Sequence, residues 1–355
     1  MMFSQFQKLL PTGLLAYRNE LKQNSGDISP GWYFIRYPYA IRIGSAVPVS
    51  VKEDFSERLF RVGSIGGFLA RLYTMLFSLV RIRHSTGHPA PAGRTLIKRS
   101  MHGHLMMFDF EHGKVITKYR DAGLAARIAE YASMEPGYLP TLHVEYDGAS
   151  SIQSPMVKGV NLYSSGTEIR IERFRSLLVY FLERLELSRS RGTYMATGEA
   201  CDFIDRNTKD YFPDELKHQL SERRDQILKI LTSVPVIFSH GDLHSENILV
   251  CEDRTVVIDF EHCCMMHAFY DLVYNPFDGF IAGYDTTFFY EMCRGTFDSE
   301  YRAIFRGYIA EGPVCLTDVL LAFILCRAER GRLYPEVTLE RLNHLLNELL
   351  NIRIA

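Results

Sequence analysis

Two regimes of apolar patterning alternate along this chain. Residues 32–51 are rich in aromatic and β-branched side chains (Tyr33, Phe34, Ile35, Tyr37, Tyr39, Ile41, Ile43, Val47, Val49), which predicts one or two strands. Residues 55–83 predict a helix, and its section 65–80 is apolar apart from Arg71 and a few small polar residues. Residues 85–94 carry two prolines and two glycines and predict a linker. Three short strands are then expected over 95–101, 104–110 and 114–119, with turns at His102-Gly103 and Glu111-His112-Gly113. Asp121 is placed to cap a helix over 122–134, whose apolar stripe is Leu124, Ile128 and Tyr131 and which stops at Pro136-Gly137. Amphipathic helices are predicted over 171–186 and 213–231, and from Pro276 onward helices again, clearest over 316–327 and 339–354.

Residues 236–261 carry the chemistry. Asn247-Ile248-Leu249-Val250 and residues 255–260 are apolar and β-prone, with the polar turn Cys251-Glu252-Asp253-Arg254 between them, which predicts a hairpin. A hairpin centred on Asp253 sets Asn247 opposite Asp259, because antiparallel partners pair symmetrically about their turn. Two oxygen ligands then converge at the open end of the ribbon, the donor type that suits Mg²⁺ when nucleotide phosphates also hold it. Asp242 stands just before the first strand, where it can take the proton of an acceptor hydroxyl.

Composition bounds the setting. With 355 residues, 47% hydrophobic and 23% charged, the chain has an ordinary globular make-up and room for two or more lobes. Its net charge of −2 is uneven: the first hundred residues hold 14 Lys and Arg against 5 Asp and Glu. Together with Arg71, Arg81 and Arg83 this points either to peripheral contact of residues 55–83 with anionic lipid or to a surface that complements the acidic remainder of the chain. A membrane span is the weaker reading, since Arg71 at its centre would cost about 3 kcal/mol. Seven cysteines without a Cys-x-x-Cys pair suggest a reducing compartment. His262, Cys263, Cys264 and His267 lie too near one another in sequence to surround one tetrahedral zinc easily. The first twenty residues lack the pattern of a secretory leader. The expected location is cytoplasmic, with peripheral contact at the inner face of the membrane as a variant, and no nucleic-acid partner is expected.

The polar identities of this stretch fit a known pattern. His240-Gly241-Asp242-Leu243, Asn247 and Ile258-Asp259-Phe260 fill the kinase catalytic loop H-x-D-L-x-x-x-N and its D-F dipeptide. Read on as His240-Gly241-Asp242-Leu243-His244-Ser245-Glu246-Asn247 and Ile258-Asp259-Phe260-Glu261, the stretch resembles the phosphotransferase family of aminoglycoside phosphotransferases, choline kinases and fructosamine kinases. The resemblance implies an α+β, two-lobed protein-kinase-like fold with a small antiparallel-sheet N-lobe and a mainly helical C-lobe. The divisions expected are an N-terminal extension (1–94), an N-lobe (95–158) and a C-lobe (159–355). It implies ATP and Mg²⁺ as cofactors, and a small-molecule or glycan hydroxyl as acceptor, walled by the late helices.

The same resemblance distributes roles. Asp242 is the base, and Asn247 and Asp259 are the metal ligands. Lys118, in Val115-Ile116-Thr117-Lys118, holds phosphates with Glu130 as its carboxylate partner and Glu135 as the alternative. Gly103 lies where kinases fold a loop over the phosphates, although the G-x-G-x-x-G pattern is absent. Met156 and Lys158 belong to the adenine-binding hinge. Asp271 braces the catalytic loop, His240 locks it, and His244 either touches phosphate or caps the loop. Glu261 stands where protein kinases have Gly, and Ala-Pro-Glu is absent, which favours a metabolite or glycan acceptor over a protein. Two other readings stand beside this one: a membrane-proximal kinase of a lipid-linked or envelope saccharide, and a nucleotide-binding pseudokinase or scaffold. The intact Lys118, Asp242, Asn247 and Asp259 argue against the last.

Overall fold

The computed structural model describes residues 12–24, 27, 29, 31–36, 39–42, 79–82, 94–100, 103–133, 144–183, 185–252, 254–283, 285–309, 312, 314–331, 342 and 346. The chain divides into two compact units, one of residues 1–129 and 143–157 and the other of 130–142 and 158–355. The architecture is α+β, an antiparallel-sheet unit followed by a mainly helical one.

The first unit holds an eight-stranded sheet in the order β3-β1-β2-β4-β5-β6-β8-β7. Its strands are β1 (Gly31–Arg36), β2 (Tyr39–Arg42), β3 (Leu79–Ile82), β4 (Arg94–Arg99), β5 (Leu105–Asp109), β6 (Lys114–Lys118), β7 (Glu145–Tyr146) and β8 (Ser151–Pro155). In β5 the period-two pattern is plain: Leu105, Met107 and Asp109 are buried while Met106 and Phe108 are half-buried. Tyr17 and Leu21, one helical turn apart on α1 (Thr12–Gln23), join Tyr33, Ala40, Ile97, Leu105, Met107 and Ile116 in one core. The Tyr17 hydroxyl donates to the Ile97 carbonyl at 3.3 Å, which spares a buried phenol the cost of an unmade bond.

Two expectations for this unit need correction. Residue 94 does not separate an extension from a lobe, because α1, β1, β2 and β3 belong to the same sheet and core as β4–β8. The expected helix over 55–83 ends as strand: Leu79–Ile82 pairs with β1, Phe34 against Leu79 and Gly31 against Ile82. A Leu-Val-Arg-Ile run suits a pleated ribbon once a partner edge is present. The remainder of that expected helix, and the lipid contact built on it, lie outside the described residues. Among the described residues no helix is long and apolar enough to cross a membrane.

Asp121 accepts from the Gly123 N–H at 2.8 Å and so starts α2 (Ala122–Ser133), as its position predicts. The second unit contains α3 (Thr167–Glu183), α4 (Leu185–Arg191), α5 (Thr197–Asn207), α6 (Asp214–Glu222), α7 (Arg224–Ser233), α8 (Phe269–Ala282), α9 (Thr287–Cys293), α10 (Asp298–Tyr308) and α11 (Leu316–Glu329). On α3 the buried set Arg170, Phe174, Leu177, Leu178 and Phe181 follows the helical repeat. The expected helix over 213–231 is broken at Arg223, which ends α6 and opens α7 while its guanidinium holds Asp318 at 2.8 Å. In α11 every residue from Leu316 to Ala328 is buried, the mark of a helix at the centre of its unit. The expected helix over 339–354 falls outside the described residues apart from the buried Leu342 and Leu346.

Helix α8 does not stop at Pro276 but runs through it. A proline there cannot bond to the carbonyl of Leu272, four residues back. The hydroxyl of fully buried Tyr301 donates to that carbonyl instead, at 3.0 Å. The helix therefore keeps its buried backbone satisfied across the break.

Candidate active site

Two short ribbons of the second unit position the catalytic stretch. Strand β10 (Val236–Ser239) pairs with β13 (Cys264–His267), Ser239 opposite Cys264, so the chain leaving β10 runs beside the chain entering β13. Strand β11 (Ile248–Val250) pairs with β12 (Thr255–Val257) on one side and β9 (Val160–Asn161) on the other. The register differs from the expected one by a residue. Ile248 faces Val257, so Asn247 lies against Ile258, whose N–H donates to the Asn247 carbonyl at 2.9 Å. Asp259 comes one residue later, exposed and left-handed at φ +65°. The pairing is thus centred between residues 252 and 253 rather than on Asp253, a shift of one residue in the partner strand. The left-handed residue then turns the chain away from the ladder.

The loop after β10 is held from several sides. The Asp271 carboxylate, in the first turn of α8, accepts from the His240 N–H at 2.7 Å and the Gly241 N–H at 2.9 Å. Burial raises the Asp271 pKa, while His240, the two N–H bonds and Arg330 oppose that rise. The His240 ring accepts from the Asp242 N–H at Nδ1 (3.3 Å), and its Nε2 donates to the Ile258 carbonyl at 2.9 Å. This ring therefore ties the catalytic loop to the strand that leads into Asp259. Arg330 donates to the carbonyls of Gly241 (2.5 Å) and His262 (2.9 Å), joining the two chains at the mouth of the β10–β13 ribbon. Gly241 sits at φ +76°, where an added Cβ would meet the His262 carbonyl oxygen at 2.6 Å and Arg330 Nη1 at 2.7 Å. Only glycine fits this close approach.

Asp242 is half-buried. Its Oδ1 accepts from the Tyr274 hydroxyl at 2.6 Å, and its Oδ2 lies 3.7 Å from His244 Nε2 and 3.8 Å from His262 Nε2. Asn247 is buried, and its Nδ2 lies 3.0 Å from both the Asp242 carbonyl and His244 Nε2. With the amide nitrogen engaged by the loop, Oδ1 is the atom of Asn247 for a hard cation. The donor set of Asn247 and Asp259 fits Mg²⁺, which takes one or two protein oxygens together with phosphates rather than a full protein cage. Among the described residues no cluster of three or more His, Cys, Asp or Glu could hold a metal alone. His244, expected among the phosphate contacts or as a cap, accepts from the Glu246 N–H at 3.2 Å and caps the short turn Ser245–Asn247.

Of the other predicted residues, Gly103, Lys118 and Met156 lie in the first unit and Glu130 and Lys158 in the second. Lys118 Nζ bonds Asp27 Oδ2 at 2.6 Å, so the carboxylate on this lysine is Asp27. Glu130, the expected partner, is exposed on α2, and Glu135 lies outside the described residues. The side chains of the Lys118–Asp27 pair are 34% and 43% exposed, and such a pair contributes about 1 kcal/mol or less. The pair is therefore cheap to break. Gly103 turns the β4–β5 hairpin at φ +81°, beneath the Arg120 guanidinium. The Met156 N–H donates to the Gly113 carbonyl at 2.7 Å, which leaves its own carbonyl as the backbone group not engaged by that bond. Lys158 begins the second segment of the second unit.

No catalytic-loop pattern marks Tyr274, Arg327, Arg330 or Asp27, and in the sequence His262 stands out only beside Cys263, Cys264 and His267. One signal was present for Tyr274: it stands three residues after Asp271, on the same face of α8.

A model of the phosphotransferase enzyme family matches residues 184–310. Among solved structures, a glucosamine kinase in complex with glucosamine, ADP and inorganic phosphate aligns at 15% identity over 72% of this chain and 80% of its own, with a TM-score of 0.44. Choline kinase LicA from Streptococcus pneumoniae aligns at 13% identity over 70% and 89%, with a TM-score of 0.40. Aminoglycoside phosphotransferase APH(3'')-Id from Streptomyces rimosus aligns at 15% identity over 64% and 89%, with a TM-score of 0.38. No curated protein matches. The segment holding the catalytic loop, the hairpin and the bracing helix is thus similar to the phosphotransferase enzyme family.

Proposed function

We propose that this chain transfers the γ-phosphoryl group of Mg·ATP to a hydroxyl of a small molecule or sugar. The observation that carries the reading is the construction around Asp242. The His240 ring accepts from its N–H, Asp271 and Arg330 hold the two residues before it, and its carbonyl accepts from the amide nitrogen of Asn247. Phosphoryl transfer asks little covalent chemistry of a protein and much positioning. Asp242 would orient the acceptor hydroxyl and take its proton. Asn247 and Asp259 would hold the metal, which when bound neutralises charge on the transferred phosphate oxygens. Lys118 would leave Asp27 for the α- and β-phosphates. The Met156 carbonyl and the Lys158 backbone would receive adenine. All seven cysteines are free thiols, which suits the reducing cytoplasmic setting proposed for it.

The test is a screen for ATP consumption with hydroxyl-bearing metabolites, sugars and aminoglycosides, run with and without Mg²⁺. Metal-dependent turnover that rises with one acceptor class supports the reading. ATP binding without turnover across the screen favours the scaffold alternative.

A further inference from the structure

The base of a phosphotransferase must present one carboxylate oxygen to its acceptor, and a free carboxylate rotates. In this chain it is held. The Tyr274 hydroxyl donates to Asp242 Oδ1 at 2.6 Å. Arg327 Nη1 donates to the same hydroxyl at 2.9 Å, and its guanidinium carbon lies 5.3 Å from the centre of the Tyr274 ring. Arg327 is in turn fixed by Asp278 at 2.9 Å. Arg327 and Asp278 are buried, and both lie on helices, α11 and α8. A hydroxyl that receives a bond from a cation is a stronger donor, because hydrogen bonds in a chain polarise one another. Burial raises the pKa of the phenol, with the carboxylates of Asp278 and Asp242 acting the same way and Arg327 opposing them. Tyr274 thus takes Oδ1, and Oδ2 is the oxygen nearer His244 and His262.

We propose that Tyr274, backed by Arg327 and Asp278, is a positioning residue that fixes the rotation of the Asp242 carboxylate and assigns proton acceptance to Oδ2. The proposal rests on Asp242 being the base. It adds a relay from α8 and α11 that the catalytic-loop pattern does not contain.

The experiment compares the parent with Tyr274→Phe, Asp242→Asn, the double variant and Arg327→Lys in the full chain. The probe is phosphate release from Mg·ATP with water as the hydroxyl acceptor, alongside Mg·ATP binding by calorimetry and a thermal melt. A hydrogen bond to a charged group is worth enough that Tyr274→Phe should lower kcat by about ten- to hundred-fold. Nucleotide affinity should stay within about twofold. The double variant should be no slower than Asp242→Asn alone, since two members of one unit are not additive. Arg327→Lys keeps a cation near Asp278 but loses the fork that reaches the hydroxyl, so it should lower kcat less, again without changing nucleotide affinity. It also gives a reading if Tyr274→Phe does not fold. The proposal is overturned if Asp242→Asn abolishes turnover while Tyr274→Phe and Arg327→Lys keep the parental kcat. A double variant much slower than Asp242→Asn overturns it too, because Tyr274 would then act elsewhere. Parental turnover by Asp242→Asn removes the base itself, and this relay with it.

Discussion

Gly241→Ala tests the packing on which the catalytic loop depends. Two costs add at this position. A side chain at φ +76° carries a left-handed penalty of about 1–2 kcal/mol. The new Cβ would also stand 2.6 Å from the His262 carbonyl oxygen, a backbone atom held by Arg330, and overpacking of this kind costs about 1–3 kcal/mol. The sum is about 2–5 kcal/mol. Gly331 is the internal control, in the same unit at φ +63° with no atom of the described residues within 4 Å of an added Cβ. Gly331→Ala should cost only the left-handed share. The assay is thermal unfolding of both variants by circular dichroism. At about 2–4 °C per kcal/mol for a unit of this size, Gly241→Ala should melt several degrees below Gly331→Ala. Because the clash falls between the catalytic loop and β13, phosphate release should also fall in Gly241→Ala and not in Gly331→Ala. Equal melting temperatures would refute the reasoning, since the approach of His262 and Arg330 to Gly241 would then carry no weight.

Three further outcomes are expected. Asp259→Ala should abolish the Mg²⁺-dependent part of ATP binding in calorimetry, and undiminished binding would misplace the metal site. Tyr301→Phe leaves the Leu272 carbonyl, freed by Pro276, without its donor, so stability should fall by about 1–3 kcal/mol in a urea titration; a smaller change would mean that another group satisfies that oxygen. Burial lowers the His267 pKa below its ordinary value of 6.5, with the Val234 carbonyl and Glu199 opposing it. The unfolded state therefore takes up the proton first, so this stabilisation is complete above about pH 6.5 and is lost as pH falls through the folded value. A His267→Gln chain should show a shallower loss of melting temperature between pH 7 and 5 than the parent, and identical slopes would exclude His267 as the source.

The parts legible in the sequence are those whose information is local. The β4–β5–β6 strands, the Asp121 cap and the hairpin were readable from period and turn residues within about ten positions. The catalytic stretch was readable because its polar identities fall at fixed offsets. The register was missed by one residue because it is set at the turn, where Val250 pairs with Thr255 across four loop residues, and an apolar pattern does not record where a turn is centred. Long-range pairing accounts for most of the rest. Leu79–Ile82 becomes strand because β1 offers an edge. Lys118 takes a carboxylate 91 residues away, where the reading looked for one on the next helix. Tyr274 and Arg327 meet across 53 residues, and only the packing of α8 against α11 brings them together. Pro276 signals a helix end by its own chemistry, and a tyrosine 29 residues away from Leu272 cancels the signal.

The central claim, that Asp242 is the base of a Mg·ATP phosphotransferase, is tested most directly by Asp242→Asn. The substitution keeps the shape and removes the charge. General-base assistance is worth about 10²–10⁴-fold, or roughly 3–5 kcal/mol of barrier. The measurement is steady-state phosphoryl transfer from Mg·ATP, to water and to the best acceptor of the screen, paired with equilibrium Mg·ATP binding by the same protein. Turnover is predicted to fall by about that factor with nucleotide affinity unchanged. Near-parental turnover with intact Mg·ATP binding would contradict the account.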